Sequence, residues 1–146
     1  MKADTLLQLD NQICFPLYAA SRMVTKLYQP LLEKLDITYP QYLILLVLWE
    51  NDELSVNEIG KKLMLETNTL TPLLKRMESK GIVKRKRSKS DERRVIVSLT
   101  DKGNSLKQQA LCIPIELLSG MSEQFPIAKI NRLREDLNKL LEVLSK

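Results

Sequence analysis

Residues Ser55–Leu99 read SVNEIGKKLMLETNTLTPLLKRMESKGIVKRKRSKSDERRVIVSL, and the changes of period within this stretch decide the fold. Ser55 with Glu58 makes an S-x-x-E capping box, in which each side chain can satisfy a backbone donor of the other residue. It opens a short helix carrying Val56, Ile59 and Leu63 on one side. Glu66 to Pro72 then supplies polar caps and a first-turn proline, and Leu70, Leu73, Leu74 and Met77 form the apolar stripe of a second helix that stops at Gly81. From Ile82 to Arg87 and from Arg94 to Leu99 the period drops to two, around the turn formers Ser88, Lys89, Ser90 and Asp91. The stretch predicts helix, tight turn, helix and a β-hairpin: a winged helix-turn-helix.

The flanks read as helices. Only four Gly and six Pro punctuate the chain, and Leu and Ile recur at helical spacing between them, so the fold class is mainly α with one β-hairpin. Leu17 to Leu35 is amphipathic, and Pro40 to Trp49 begins with proline in an initial position. Thr100 caps a helix over Asp101 to Ser119, which Pro114 should end or kink. Near the C-terminus, Ile127, Ile130, Leu133, Leu137, Leu140, Leu141 and Leu144 form a stripe that something must cover. The 146 residues are expected to make one domain, with the winged motif over about residues 37–100 and long dimerisation helices over 1–36 and 101–146.

Composition removes several chemistries. The chain has no His, which excludes Ser-His-Asp and Cys-His nucleophiles and zinc hydrolase sites. Its two cysteines, Cys14 and Cys112, are too few and too far apart in sequence for a disulfide framework or a C-x-x-C motif. No metal and no cofactor are expected. The N-terminus lacks the charge and apolar pattern of a signal peptide, and the longest apolar run, Leu43 to Trp49, is too short to span a bilayer. A soluble protein in a reducing cytoplasm, without membrane contact, is the expectation.

The charge is concentrated. Between Lys75 and Arg94 lie ten basic and three acidic residues, a net of +7 in a chain whose total is +5, so the remainder is −2. Placed on a helix-turn-helix and its wing, this is the footprint of a surface that neutralises phosphates; a solvated strand edge is the alternative. The second helix would enter a major groove with Thr67, Asn68, Thr69 and Thr71 near base edges, although Thr67 or Asn68 could instead cap the helix. Lys75 and Arg76 would meet phosphates, with Arg87 adding charge along the wing. Asp91, Glu92, Arg93 and Arg94 at its tip suit a narrow, A·T-rich minor groove, with an acid holding one arginine in place.

Cys14 lies two residues before Pro16, which would place the thiol at a helix N-terminus, where the dipole favours thiolate. All four tyrosines, Tyr18, Tyr28, Tyr39 and Tyr42, follow within thirty residues, and phenolic hydroxyls can donate to a thiolate sulfur. Thiolate is the nucleophile that attacks a peroxide O–O bond. The alternative is that Cys14 is a small core hydrophobe.

The segment Leu70-Thr71-Pro72-Leu73-Leu74-Lys75-Arg76-Met77-Glu78, with Gly81 and Asp91-Glu92-Arg93 after it, resembles the MarR family of bacterial transcription regulators almost end to end. Gln12-Ile13-Cys14-Phe15, Leu17-Tyr18-Ala19-Ala20-Ser21-Arg22 and Ile37-Thr38-Tyr39-Pro40-Gln41-Tyr42 are similar to its organic hydroperoxide resistance subgroup. The resemblance implies a homodimeric repressor of double-stranded, pseudo-palindromic DNA, whose first and last helices form the dimer interface. It implies Cys14 as the peroxide sensor, with Tyr28 and Tyr39 reaching it from the other subunit and Tyr18 close by. It also implies Arg93 in the minor groove, supported by Asp91. Pro16 departs from the family pattern. Cys112 is the candidate resolving thiol across the dimer, with a buried structural thiol as the alternative. A regulator released by a small aromatic ligand and a thiol peroxidase are the competing functions.

Overall fold

The computed structural model describes residues 3–146. They divide into two compact units, one running to Ala110 and the other covering Leu111–Lys146.

In the first unit, α1 (Ala3–Leu6) and a short 3₁₀ turn (Leu9–Asn11) lead into the long helix α2 (Cys14–Glu33). The side-chain amides of Asn11 and Gln12 donate to the carbonyls of Thr5 and Leu6, which folds this lead-in back on itself. α2 starts at Cys14, three residues earlier than the amphipathic stripe predicts, because Pro16 falls in its first turn, where no helical donor is needed. Pro30 lies inside α2 near its end and leaves the Lys26 carbonyl without a helical donor.

α3 (Tyr39–Glu50) is the central helix, with Tyr42, Ile44, Leu45, Val47 and Leu48 buried. Thr38 and Gln41 form a reciprocal capping box at its start, which explains why the Gln41 side chain can be buried. β1 (Leu54–Ser55) precedes α4 (Val56–Leu63), and the anticipated capping box is present: Glu58 N–H donates to Ser55 Oγ at 3.1 Å and Ser55 N–H to Glu58 Oε2 at 2.7 Å. α4 ends in a tight turn at Met64 (φ 55°), with Leu65 N–H returning to the Gly60 carbonyl at 3.0 Å. A Cβ at Gly60 would stand 2.7 Å from the Leu65 carbonyl oxygen, so this turn needs glycine there.

α5 (Thr67–Ser79) follows, burying Leu70, Leu74 and Met77. β2 (Val83–Arg87) and β3 (Val95–Leu99) form the hairpin, paired Val83 with Leu99 through Arg87 with Val95. The hairpin does not stand alone, as the period-two pattern implied; β1 adds to β3, giving an antiparallel sheet of order β1-β3-β2. Two residues of strand are too short to show alternation in sequence.

α6 (Asp101–Ala110) is capped by Thr100, whose Oγ1 accepts the Gly103 N–H at 3.1 Å. The helix stops at Ala110, four residues before Pro114, because the proline ring collides with the carbonyl of residue i−4. Pro114 itself lies in the first turn of α7 (Cys112–Met121), so the expected single helix to Ser119 is two helices. The second unit holds α7 and α8 (Ile127–Leu144). α8 has no buried residue, and Leu133, Leu140, Leu141 and Leu144 of its stripe lie open to solvent. Among the described residues, no helix is long and apolar enough to cross a membrane.

Candidate nucleic-acid interface and thiol site

α5 presents its first turn to solvent. Its N-cap is Glu66, in extended backbone, whose carbonyl accepts the Leu70 N–H at 3.1 Å and whose side chain makes no capping bond. Thr67 and Asn68 are therefore not caps, contrary to that alternative. The exposed side chains of Thr67, Asn68 and Thr69 make no hydrogen bond among the described residues, so their donors and acceptors are free for a ligand. Thr71 differs: its hydroxyl donates to the Thr67 carbonyl at 2.7 Å. Pro72 lies inside α5 rather than in its first turn, since the helix starts as early as Thr67. Lys75 and Arg76 follow on the exposed side.

The wing meets this turn. Ser55, Val56 and Asn57 of the α4 start, Thr67 and Thr71 of α5, and Arg93, Arg94 and Val95 at the wing base line one groove. Asp91 organises the hairpin tip: its Oδ1 accepts the Arg93 N–H at 3.1 Å and Nε at 3.3 Å, and its carbonyl accepts the Arg94 N–H at 2.9 Å. The Arg93 side chain is nevertheless 92% exposed, held at its root and open at its end. Arg87 donates to the Glu92 carbonyl at 2.9 Å, and the Arg94 guanidinium lies 3.5 Å from Glu58. Hydrogen bonds from Ser55, its backbone N–H foremost, hold the Glu58 carboxyl below the usual range, with the Arg94 charge adding to the effect.

Two residues of the basic window serve the fold. Arg85 is paired with Glu78 at 3.1 Å and donates its backbone N–H to the same carboxylate, which keeps the Glu78 carboxyl low. Lys80 is bound to Asp36. The exposed cations are Lys75, Arg76, Lys84, Lys86, Arg87, Lys89, Arg93 and Arg94. Sequence reasoning missed Asn57 and Lys61, which share a second groove with Met64 and Thr67. Their signal was their four-residue spacing, away from Ile59.

Cys14 is the first residue of α2 and is exposed on the single chain, outside that chain's own core. Tyr18, one turn later, is also exposed, with the Arg22 guanidinium 4.6 Å from its ring centroid. Tyr28 and Tyr39 are elsewhere. Their rings pack at 4.9 Å, and Tyr42 joins at 5.7 Å from Tyr28 and 6.3 Å from Tyr39. Burial, reinforced by Tyr39 and Tyr42, pushes the Tyr28 phenol up to about 12, so it remains a hydrogen-bond donor. Fourteen residues of helix separate Cys14 from Tyr28, an axial distance of about 21 Å. Of the four tyrosines of one chain, Tyr18 alone lies within a helical turn of the thiol. Cys112 opens α7 and is exposed on the single chain. Among the described residues, no group of His, Cys, Asp or Glu could hold a metal ion.

A two-helix motif with an exposed polar first turn, flanked by a cationic wing, defines a winged-helix DNA-binding transcription regulator. The family described as transcriptional regulator SarA/Rot matches residues 26–110. The organic hydroperoxide resistance transcriptional regulator of Bacillus subtilis is 52% identical over 138 residues, covering 94% of this chain and 92% of the relative. Reduced AbfR bound to DNA is 38% identical and covers 100% of both chains at a TM-score of 0.77. The disulfide form of AbfR, a protein of Staphylococcus epidermidis, is 38% identical and covers 98% of this chain and 96% of its own, at a TM-score of 0.64. The chain belongs to the MarR family of transcription regulators, in its organic hydroperoxide resistance branch.

Proposed function

We propose that this chain is a cytoplasmic, homodimeric repressor that releases its operator when Cys14 is oxidised by an organic hydroperoxide. The observation that carries the reading is the placement of Cys14, exposed at the start of α2 beside Tyr18, in a chain of this branch. The Cys14 thiolate attacks one peroxide oxygen, and the O–O bond breaks. The sulfur is oxidised to sulfenic acid, and the departing alkoxide takes a proton and leaves as the alcohol. Condensation with a second thiol, from Cys112 of the other copy or a small molecule, gives a disulfide and releases water. Because Tyr28 lies about 21 Å along α2 from Cys14 in the same chain and Tyr39 packs on Tyr28, a second copy has to supply any phenol beyond Tyr18. The open stripe of α8, and Ile13, Met23, Val24 and Leu27 on α2 and its approach, are the apolar surfaces that such a copy would cover.

On DNA, Thr67, Asn68, Thr69 and Thr71 face base edges in the major groove, and Lys75, Arg76 and Arg87 meet phosphates. Arg93 and Arg94, with Asp91 holding the tip, enter the minor groove. Two such faces on a dimer require a pseudo-palindromic duplex, A·T-rich where the wings lie. A change in their separation abolishes simultaneous binding. Release by a small aromatic ligand is the second reading, favoured by a half-open cavity of about 320 Å³ in which Leu32, Ile37 and Tyr39 stand beside the polar Thr25, Gln29, Glu33 and Thr38.

The test is the affinity of reduced protein for DNA upstream of its own gene, before and after about one equivalent of organic hydroperoxide, with Cys14→Ser alongside. Binding lost on oxidation in the parent and kept in Cys14→Ser is the expected result. Binding indifferent to oxidant refutes the thiol switch.

A further inference from the structure

The helix that carries Cys14 and the helix that carries the base-facing turn end against each other. α2 closes at Glu33, and the chain reverses through Asp36 (φ 54°), with Ile37 N–H returning to the Leu32 carbonyl at 3.2 Å. α5 closes at Ser79 in the same way, with Ile82 N–H on the Met77 carbonyl at 2.9 Å. Both ends are C-termini, so each presents the negative pole of its helix. Lys80 bridges them. Its Nζ donates to the Asp36 carbonyl at 2.6 Å and lies 3.4 Å from the Asp36 carboxylate. Lys102 of α6 then donates to the Lys80 carbonyl at 2.8 Å, adding a second ammonium at the same junction.

This is more than a surface ion pair. The Asp36 side chain is 88% exposed and contributes little, whereas its carbonyl is fixed by the turn that ends α2. The last turn of α2 is anchored as well as clasped: Leu32 within it is buried, which offsets the helical bond that Pro30 denies the Lys26 carbonyl. Before Pro30, Tyr28 packs on Tyr39 and Tyr42 of α3; after it, the turn is tied to α5 through Lys80. Resting on the reading of Cys14 as the sensor, we infer that Lys80 is a positioning residue through which movement of α2 reaches α5. It touches neither oxidant nor DNA in this role. It sets how the first turn of α5 follows the sensing helix.

The experiment compares operator affinity of the reduced and the cumene hydroperoxide-treated full-length protein, as wild type, Lys80→Met and Lys80→Arg. Methionine keeps the apolar stem and loses the donor. Reduced Lys80→Met binds within about threefold of wild type, while its loss of affinity on oxidation is smaller than the wild-type loss by about fivefold or more, the scale of ordinary coupling between sites. Lys80→Arg restores the wild-type ratio. Lys80→Gln, too short to reach Asp36, is the second variant should Lys80→Met fold poorly, and it gives the same reduction. Asp36→Asn keeps the carbonyl and leaves the ratio unchanged. A general loss of stability lowers both affinities and does not move their ratio. If wild type and Lys80→Met release DNA by the same factor, α2 acts on α5 by another route and the inference is overturned. If wild type itself ignores the oxidant, the sensor reading falls first and takes the clasp with it.

Discussion

Replacing Asp91 with Ala separates two accounts of the wing by the sign of the effect. Asp91 is an acid on a surface proposed to meet phosphates, so by charge alone its removal should tighten binding. At about 8 Å in a water-like medium, one carboxylate–phosphate repulsion is worth about 0.5 kcal/mol, falling to about 0.2 kcal/mol over one Debye length. Against this stands the work that the carboxylate does within the chain. Its Oδ1 holds Arg93 by the backbone at 3.1 Å and by Nε at 3.3 Å, on a side chain 92% exposed and otherwise free to wander. An exposed interaction of this kind is worth about 0.5–1 kcal/mol. With two wings engaged on one operator, positioning loses about 1–2 kcal/mol and relieved repulsion returns about 0.4 kcal/mol, a net loss of about 0.6–1.6 kcal/mol, or about 3- to 15-fold in Kd. Positioning therefore outweighs repulsion, and Asp91→Ala weakens binding although it makes the protein more cationic. The assay is fluorescence anisotropy on operator DNA across a salt series. Arg93→Ala provides the scale, since removing one cation from each wing lowers the salt slope by about 2. Tighter binding by Asp91→Ala, with a steeper salt dependence, would refute the reasoning and leave Asp91 as a repulsive charge.

Three further expectations concern the scaffold. A Cβ at Gly103 runs into the Ile82 carbonyl oxygen and lies 3.1 Å from Leu99 Cδ2, a collision with backbone that no rotamer relieves. Gly103→Ala should cost about 2–3 kcal/mol in urea denaturation, and an unchanged midpoint would contradict the packing of α6 on the hairpin. Tyr28 is raised from 10.0 to about 12, so the folded state keeps the neutral phenol. Its contribution is intact below pH 10 and is lost between 10 and about 12 as the unfolded chain ionises first. Tyr28→Phe should remove part of this alkaline loss, and identical stability curves from about pH 9 to about pH 12 for the two proteins would deny it. Glu78 is the opposite case, its carboxyl held low by the Arg85 hydrogen bond, so its contribution is present above the usual carboxylate range and lost as pH falls through the folded value. Glu78→Gln should therefore lose less stability on acidification than wild type, and parallel acid melts would exclude the pair from that loss.

The legible parts of the site share a physical cause. Ser55 and Glu58 satisfy each other across three residues, and Ile82–Arg87 and Arg94–Leu99 alternate over a few, so both features were visible in sequence. The concentration of charge was visible too, but its division was not. Nothing in KRKR distinguishes Arg85, half-buried on Glu78, from Lys84 and Lys86, which face solvent. Strand alternation places Arg85 on the face shared with Val83, yet only the approach of α5 decides that Glu78 meets it.

Proline shows the same boundary. Its effect is local and certain, but the side on which it acts depends on where a helix begins. Pro16 and Pro114 lie in first turns, so Pro114 ends the preceding helix at Ala110 instead of kinking one helix to Ser119. Pro30 and Pro72 lie inside helices held by packing strong enough to offset one missing bond each.

What the sequence determined by itself is the order of elements, the capping of α3's successor α4, the wing and its charge, because propensity, capping and periodicity act over three to eight residues. The tertiary structure decided which residues meet. It brought Tyr39 and Tyr42 of α3 onto Tyr28 of α2, at the far end of the helix from Cys14, and set Lys80 against Asp36, 44 residues away in sequence. Contacts of that kind follow from how buried side chains such as Leu45, Leu74 and Met77 fit together, and no local pattern encodes that fit.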